Sequence, residues 1–387
     1  MIRNISVGID VGTHATRVVV AELVKDKKNP KIIGTGMAES KGLRHGYVVN
    51  PAEVSKSVEK AVHEAEKNSG LKIRRAFASI GGISLGSEIS SGSTVVTRAD
   101  GEITMLDIKK AMAEAEEALH LPNKRILESM PIAFKLDGKE VLGGRPEGLH
   151  GNKLEVKVLY MTCLEHHFSD LIIAIEEAGV EVLNVIPSPY AASLVALNEK
   201  QKIVGCALLN IGAETTSLIA FENNLPIVMH VFSIGSADIT NDIALGLRVP
   251  LEEAEGIKTG ALMRDYPKKK LDQIMEARLS DIFELVDKQL KKINRSGLLP
   301  AGITLTGGGS NVSFIEDLSR DFLHLPSKVG LSSFGEAERG KLRDHSWFVA
   351  YGLTLVSPST EQNSNRRNSW LKNLKESFSS LTRQLLP

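Results

Sequence analysis

Val7-Gly8-Ile9-Asp10-Val11-Gly12-Thr13-His14 and, far downstream, Leu208-Leu209-Asn210-Ile211-Gly212-Ala213-Glu214-Thr215-Thr216 are two versions of one local design. Each is an apolar strand ending in Asp or Asn, a glycine-containing turn, and a second apolar strand (Arg17 to Val24, Ser217 to Phe221). Glycine lets backbone approach a phosphate, and successive N–H groups with a Thr hydroxyl make a concave anion site. A chain that builds this hairpin twice can clamp one polyphosphate between two related halves. A third cluster, Leu305-Thr306-Gly307-Gly308-Gly309-Ser310-Asn311, follows a strand and precedes a helix, where backbone can again meet a ligand closely. Three such loops, in this order and spacing, favour nucleotide binding over three unrelated turns.

The bulk numbers are compatible with that reading. At 387 residues the chain is long for one core, so two or more domains are expected. Lys plus Arg and Asp plus Glu are balanced at 47 each, so no overall field points to nucleic acid. Cys163 and Cys206 lie in apolar strand-like runs and read as reduced core residues of a cytoplasmic protein. The N-terminus enters a strand by Ile5 with no signal-peptide pattern. No run approaches the roughly 20 apolar residues of a spanning helix.

Local patterns divide the chain. Residues 5 to 37 read as a three-stranded meander, and a helix is expected from Pro51 to about Lys67. Asn50 is its N-cap, Glu53 completes a capping box, Gly70 stops it, and Val54, Val58, Ala61, Val62 and Ala65 form its buried face. Gly81-Gly82 opens a segment of alternating strands around one helix capped by Thr104 and Asp107. Residues 223 to 300 are helix-rich and more charged, with a helix expected from Ile274 to Lys292. After Val356 comes a polar, unpatterned stretch that reads as a flexible linker. Beyond it Leu371, Leu374, Phe378, Leu381 and Leu385 recur at helical spacing, and Trp370 extends the stripe. Lys372, Lys375 and Arg383 stand on the opposite face, and residues 366 to 386 carry five basic residues against the single Glu376. Such a helix either docks on its own body or lies in a membrane surface, and the linker and basic face favour the membrane.

The three glycine loops resemble the actin/Hsp70/sugar-kinase superfamily. Phe232-Ser233-Ile234-Gly235-Ser236-Ala237-Asp238 through Ala244, then Ala254-Glu255-Gly256-Ile257-Lys258, are similar to the FtsA family of bacterial division proteins. So are Ala78-Ser79-Ile80-Gly81-Gly82, Gly101 to Asp107, Glu128 to Asp137 and Glu147 to Glu155. The resemblance implies an α/β, actin-like (ribonuclease H-like) duplicated fold with two halves around a nucleotide cleft. Subdomain 1A would comprise residues 1–82, 163–198 and 344–356, with an inserted SHS2-like subdomain 1C at 83–162. Subdomain 2A would take 199–222 and 301–343, and 2B residues 223–300. Residues 357–369 would be the linker, and 370–386 the membrane-targeting helix.

It also implies the site. ATP with Mg²⁺ is expected in the cleft, Asp10 facing the metal through water and Gly12, Thr13 and His14 offering amides to phosphate. Many family members have Lys where this chain has Ala15, which leaves Arg17 as the nearby cation. The second loop would comprise Asn210, Gly212, Ala213, Glu214, Thr215 and Thr216; the family pattern there is Asp-Ile-Gly-Gly-Gly-Thr-Thr. Asn210 removes a carboxylate and Glu214 adds one, so binding is better supported than hydrolysis, with at most a weak ATPase. Glu255 and Lys258, at i and i+3, would meet ribose and adenine, with Gly307, Gly308, Gly309 and Ser310 beneath the adenosine and Gly235 closing the cleft.

The implied function is a filament-forming protein that tethers the FtsZ ring to the cytoplasmic face of the inner membrane at the division site. Partners would be the FtsZ C-terminal peptide, met around Arg278, Lys288, Lys291, Lys292 and Arg295, anionic lipids, further copies of the chain, and later division proteins through residues 83–162. The membrane residues would be Trp370, Leu371, Leu374, Phe378, Leu381, Leu385, Lys372 and Lys375. The second loop is also reminiscent of PilM, a type IV pilus assembly relative, but the insertion and the tail speak against it. A small-molecule kinase would need an Asp general base near the transferred phosphate, and none stands out. A chaperone of the Hsp70 type would need a β-rich peptide-binding domain.

Overall fold

The two hairpins each seed a sheet. The computed structural model describes residues 4–24, 29–262, 266–330 and 344–356; the linker and the tail helix read from the sequence lie outside them. In chain order the first half begins with β1 (Ile5–Val11), β2 (Ala15–Glu22), β3 (Lys31–Glu39), the short β4 (Leu43–Arg44) and β5 (Tyr47–Val48), α1 (Pro51–Ser69) and β6 (Arg75–Ile80). An inserted stretch follows: β7 (Gly86–Val95), α2 (Met105–Glu117), β8 (Lys124–Leu136), β9 (Lys139–Glu140) and β10 (Lys153–Leu164). Then come α3 (Glu165–Glu177), β11 (Glu181–Pro187), α4 (Ser188–Ala196) and α5 (Glu199–Val204). The second half holds β12 (Cys206–Ile211), β13 (Thr216–Glu222), β14 (Leu225–Phe232), α6 (Ser236–Leu247), α7 (Leu251–Lys258) and α8 (Lys268–Lys292). It ends with β15 (Ile303–Thr306), α9 (Ile315–Leu323), β16 (Ser327–Val329) and α10 (Phe348–Thr354).

The duplication is visible in strand order. The first half runs β11-β6-β1-β2-β3 and the second β16-β15-β12-β13-β14. In each, an antiparallel meander carries two further strands parallel to its first. Asp10 pairs with Arg17 and Asn210 with Ser217, so both polar strand ends occupy the same register position. Both central strands are buried on both faces, as continuous apolar runs require.

Helices between the sheets set where the halves meet. A Cβ on Gly352 of α10 would stand 2.0 Å from the Ala191 carbonyl oxygen of α4, and one on Gly8 of β1 2.2 Å from that of Ala350. These backbone-to-backbone approaches are open only to glycine. α4 packs on β6 and β11 of the first sheet and on β12 and β13 of the second.

Two local expectations are corrected. Asn50 does cap α1, its side chain accepting from the Glu53 N–H, but its own N–H donates to the Gly42 carbonyl instead of returning to Glu53. α8 starts at Lys268 behind Pro267, earlier than Ile274, because Leu271 and Met275 extend the buried stripe of Leu279, Ile282, Phe283, Val286 and Leu290.

The chain separates into two compact units: residues 1–88, 123–128 and 160–354, which hold both duplicated halves, and a second unit including 89–122 and 129–159. Within the second, the Asp107 carboxylate accepts from the Thr104 N–H and hydroxyl, starting α2. Ile108, Ala111, Met112 and Ala115 of that helix are buried. The Leu142-Gly143-Gly144 turn is exposed.

Candidate functional site

Asp10 ends β1 almost fully buried, and the Ser79 hydroxyl donates to its Oδ1 at 2.6 Å. Burial pushes its pKa up, while Ser79 and the Arg17 charge pull it back. A carboxylate held so, beside a glycine turn, suits a hydrated divalent cation, which would restore the charge balance that burial removes. Arg17 follows the first loop on β2. Its guanidinium lies 5.8 Å from the Trp347 ring centre, in a pocket of about 410 Å³ that His14, Glu39 and Asp344 also line.

The second loop is tied down from behind. Gly212 donates its N–H to Thr215, and the carbonyls of Gly212 and Ala213 accept from Ser236 and Ala237 at 2.8 Å. A Cβ on Gly235 would stand 2.3 Å from the Ala213 oxygen, so Gly235 is the residue that lets α6 reach the loop. Two hydroxyls of the expected site bond within the loops themselves. Thr216 is fully buried and its hydroxyl donates to the Ile234 carbonyl, and the Ser310 hydroxyl donates to the Gly307 carbonyl. Both hydroxyls brace loops, which leaves Thr215 and the amides of 213–215 as the groups this loop can offer a phosphate.

The third loop closes on the second. Gly307 has φ +85°, and a Cβ there would stand 2.3 Å from Asn210 Oδ1; one on Gly309 would meet Ile211 at 2.4 Å. A Cβ on Gly308 would meet nothing within 4 Å, so Gly308 faces open space. Ser310 and Asn311 approach the two ring nitrogens of His345, a contact absent from the sequence reading. Glu255 and Lys258 lie 2.7 Å apart, and Thr240 bonds both, its hydroxyl donating to Glu255 at 2.5 Å. Lys258 also donates to the Ser236 carbonyl. Burial raises the Glu255 pKa, but Lys258, Thr240 and the nearby His14 together lower it further.

Glu214 is where the structure adds most. Its carboxylate accepts the main-chain N–H of His45 in the first half at 2.5 Å, which turns its charge away from its own loop. His45 is supported by His167, which is 2% exposed and whose Nε2 lies 2.9 Å from the Gly46 carbonyl, so that nitrogen carries the proton. The Ser84 hydroxyl lies 2.9 Å from Nδ1. Neither histidine had a sequence signal, since both act through backbone of distant segments.

The charged residues expected to meet a peptide divide into two sets. Arg278 binds both carboxylate oxygens of Asp242, and Arg295 both of Glu222. Lys288, Lys291 and Lys292 instead line a groove of about 470 Å³ with His230, Phe232, Leu285 and Gln289. Among the described residues no helix is long and apolar enough to cross a membrane, and no cluster of three or more His, Cys, Asp or Glu could hold a metal by itself.

Comparison with known proteins agrees with this architecture. Residues 207–352 match the family model described as cell division protein FtsA, and residues 82–162 the one described as SHS2 domain inserted in FTSA. The cell division protein FtsA of Bacillus subtilis is 30% identical over 370 residues, spanning 90% of this chain and 82% of the relative. The chain belongs to the FtsA family of cell division proteins. FtsA of Pseudomonas aeruginosa is likewise 30% identical, over 90% of this chain and 88% of its own. A solved PilM–PilN type IV pilus biogenesis complex superposes with TM-score 0.67 at 19% identity, covering 91% of this chain and 99% of that one. Spiroplasma citri MreB5 bound to ADP gives 0.54 at 12%, covering 94% and 98%. At such identities these two show the fold alone, which is actin-like with the SHS2 insertion that marks FtsA.

One consequence of the buried histidine is measurable in this FtsA-family chain. Burial pushes His167 down to about 4, while an unfolded histidine titrates near 6.5. Between those values the unfolded chain binds more protons than the folded one, so stability present at neutral pH is lost as pH falls through the window. The contribution lost between pH 7 and pH 5 is about 2 kcal/mol. Chemical denaturation at both pH values is expected to show this loss, and His167→Gln, which keeps a donor toward Gly46, is expected to flatten it. An equal pH dependence in that variant would assign the effect elsewhere.

Proposed function

We propose that this FtsA-family protein binds ATP with Mg²⁺ between its two halves, and in that state assembles and carries the FtsZ ring to the inner face of the cytoplasmic membrane. The observation that carries the nucleotide reading is the convergence of three loops from distant parts of the chain. Gly307 lies against Asn210 and Ile211, and Glu214 of the second loop reaches His45 of the first half. The related MreB5 structures, solved with ADP and with AMPPNP, support the same reading.

In the proposed site Gly12, Thr13 and His14 on one side and residues 213–215 on the other hold phosphates by backbone amides. Asp10 would hold a hydrated Mg²⁺, which would offset the phosphate charge. Gly308 lies beneath the adenosine, and the Glu255–Lys258–Thr240 cluster meets the ribose and base. Asn210 lacks the carboxylate that would hold or deprotonate a water, so hydrolysis is slow or absent and nucleotide acts by occupancy. Residues 83–162 are the proposed meeting place for later division proteins.

The groove between β14 and α8 is the proposed seat of the FtsZ C-terminal peptide. It combines the apolar Phe232 and Leu285 with three lysines, which suits an acidic and apolar segment. Lys288 and Lys291 are partly compensated by Glu284 and Asp287, so the effective field is smaller than the lysine count suggests. Arg278 and Arg295 hold the body together, and their role is structural support. Reversing Lys288, Lys291 and Lys292 to Glu is expected to weaken binding of the FtsZ peptide at least about 30-fold, with nucleotide affinity unchanged. Fluorescence anisotropy with a labelled peptide measures this; peptide affinity retained in the triple variant would move the site off this groove.

A further inference from the structure

We propose that Glu214 is a latch across the nucleotide cleft: by holding the His45 amide from the opposite half it positions the two phosphate loops against each other. The inference rests on the nucleotide reading only for its consequence, since the contact itself is a property of the folded chain. Where the family pattern has glycine this chain has a carboxylate, and the carboxylate is directed 169 residues away in sequence, onto the other half.

Both ends of the contact are fixed, which is what makes it a tie and not a chance surface bond. On the second half, the turn bearing Glu214 is pinned to α6 by the Ser236 and Ala237 N–H groups and by the close approach at Gly235. On the first half, His45 sits at φ +48° with its carbonyl accepting from the Ile83 N–H. A Cβ on the adjacent Gly46 would stand 2.3 Å from the Gly82 Cα, so only glycine allows this packing. The His167 ring, with Ser84 behind it and Tyr47 tilted against it at 4.6 Å, completes the support. An ionised acceptor on a backbone amide is the stronger kind of hydrogen bond, and here only one of the two partners is a side chain that must be ordered.

The halves are also joined where α4 of the first half packs on β12 and β13 of the second. The α4 packing and the Glu214–His45 tie thus hold the halves together at two separate places. The latch makes closure favourable before nucleotide arrives, so its loss shows as faster nucleotide escape, with little effect on arrival. It also answers the charge problem posed by Glu214, because a carboxylate satisfied by His45 is not aimed at phosphate.

The test compares Glu214→Ala, which removes the tie, with Glu214→Gln, which keeps a neutral acceptor. In nucleotide-free full-length protein, hydrogen exchange of a peptide spanning 43–48 is expected to rise about ten-fold in the Ala variant and to an intermediate level in Gln, with α1 and β12 unchanged. Dissociation of a fluorescent ATP analogue is expected to accelerate about ten-fold in Ala and less in Gln, with the association rate within two-fold of the parent. Exchange at 43–48 unchanged in Ala overturns the latch, and so does a rise shared equally by α1 and β12, which would mark general loss of packing. If the parent protein binds no nucleotide, the proposed function fails while the exchange result still decides the latch.

Discussion

Gly308→Arg is expected to lower ATP affinity by at least about 100-fold, or about 2.7 kcal/mol, with the fold intact. The expectation follows from how differently the three consecutive glycines are placed. A side chain on Gly307 would collide with Asn210 and Ile211 and demand a left-handed backbone. One on Gly309 would collide with Ile211 and Ser236. Either substitution would damage packing, and its loss of binding would say nothing about a site. Gly308 is the exception: its Cβ direction is open, so an arginine there is directed into the space proposed for adenosine with no clash at its Cβ. Thermal unfolding within a few degrees of the parent, together with lost binding of a fluorescent ATP analogue, is the expected pair of results. Parent-like affinity in Gly308→Arg would sink the placement of the base. Rapid turnover by the pure parent protein would show instead that Asn210 does not disable hydrolysis.

The contrast among those glycines also shows what a sequence displays and what it withholds. The duplication was legible because it is local: a strand, a polar end and a glycine turn are written contiguously, and their register follows from alternation. Glu255 and Lys258 were legible for the same reason, since one helical turn brings them together. The insertion was legible as a change of texture after Gly82, and its capping residues Thr104 and Asp107 are three apart. What escaped was direction and partnership. Thr215 and Thr216 look alike in sequence, yet the strand alternation buries the second against Ile234. Arg278 and Arg295 read together with the lysines expected to meet a peptide, because Asp242 and Glu222, which bind them, are remote in sequence. Glu214 read as a liability for phosphate, and its satisfaction depends on a loop of the other half that no spacing rule connects to it. His167 could not be found at all, because a buried histidine that serves a backbone carbonyl leaves no pattern.

Removing residues 366–387 is expected to release the protein from anionic liposomes almost completely while leaving nucleotide and peptide binding unchanged. The argument is made from the sequence, where Trp370, Leu371, Leu374, Phe378, Leu381 and Leu385 form one apolar stripe and Lys372 and Lys375 stand opposite. At about 25 cal/mol per Å² of apolar area, burying such a stripe in the acyl boundary gives several kcal/mol, from which side-chain ordering takes a part. Each nearby Lys or Arg adds on the order of 1 kcal/mol against anionic lipid. A single helix of this kind binds reversibly, so the proposed filament matters: each added subunit presents another helix to the same surface at high effective concentration. Trp370→Glu with Phe378→Glu is expected to match the truncation, because it puts charge into the apolar stripe and leaves the basic face in place. Replacing Lys372 and Lys375 by Gln is expected to weaken attachment only in part, as is raised salt, since the apolar contribution is not screened. Sedimentation with phosphatidylglycerol-containing vesicles separates these outcomes. Undiminished sedimentation of the truncated protein would refute the anchor, and release by salt alone would reassign it to a purely electrostatic contact.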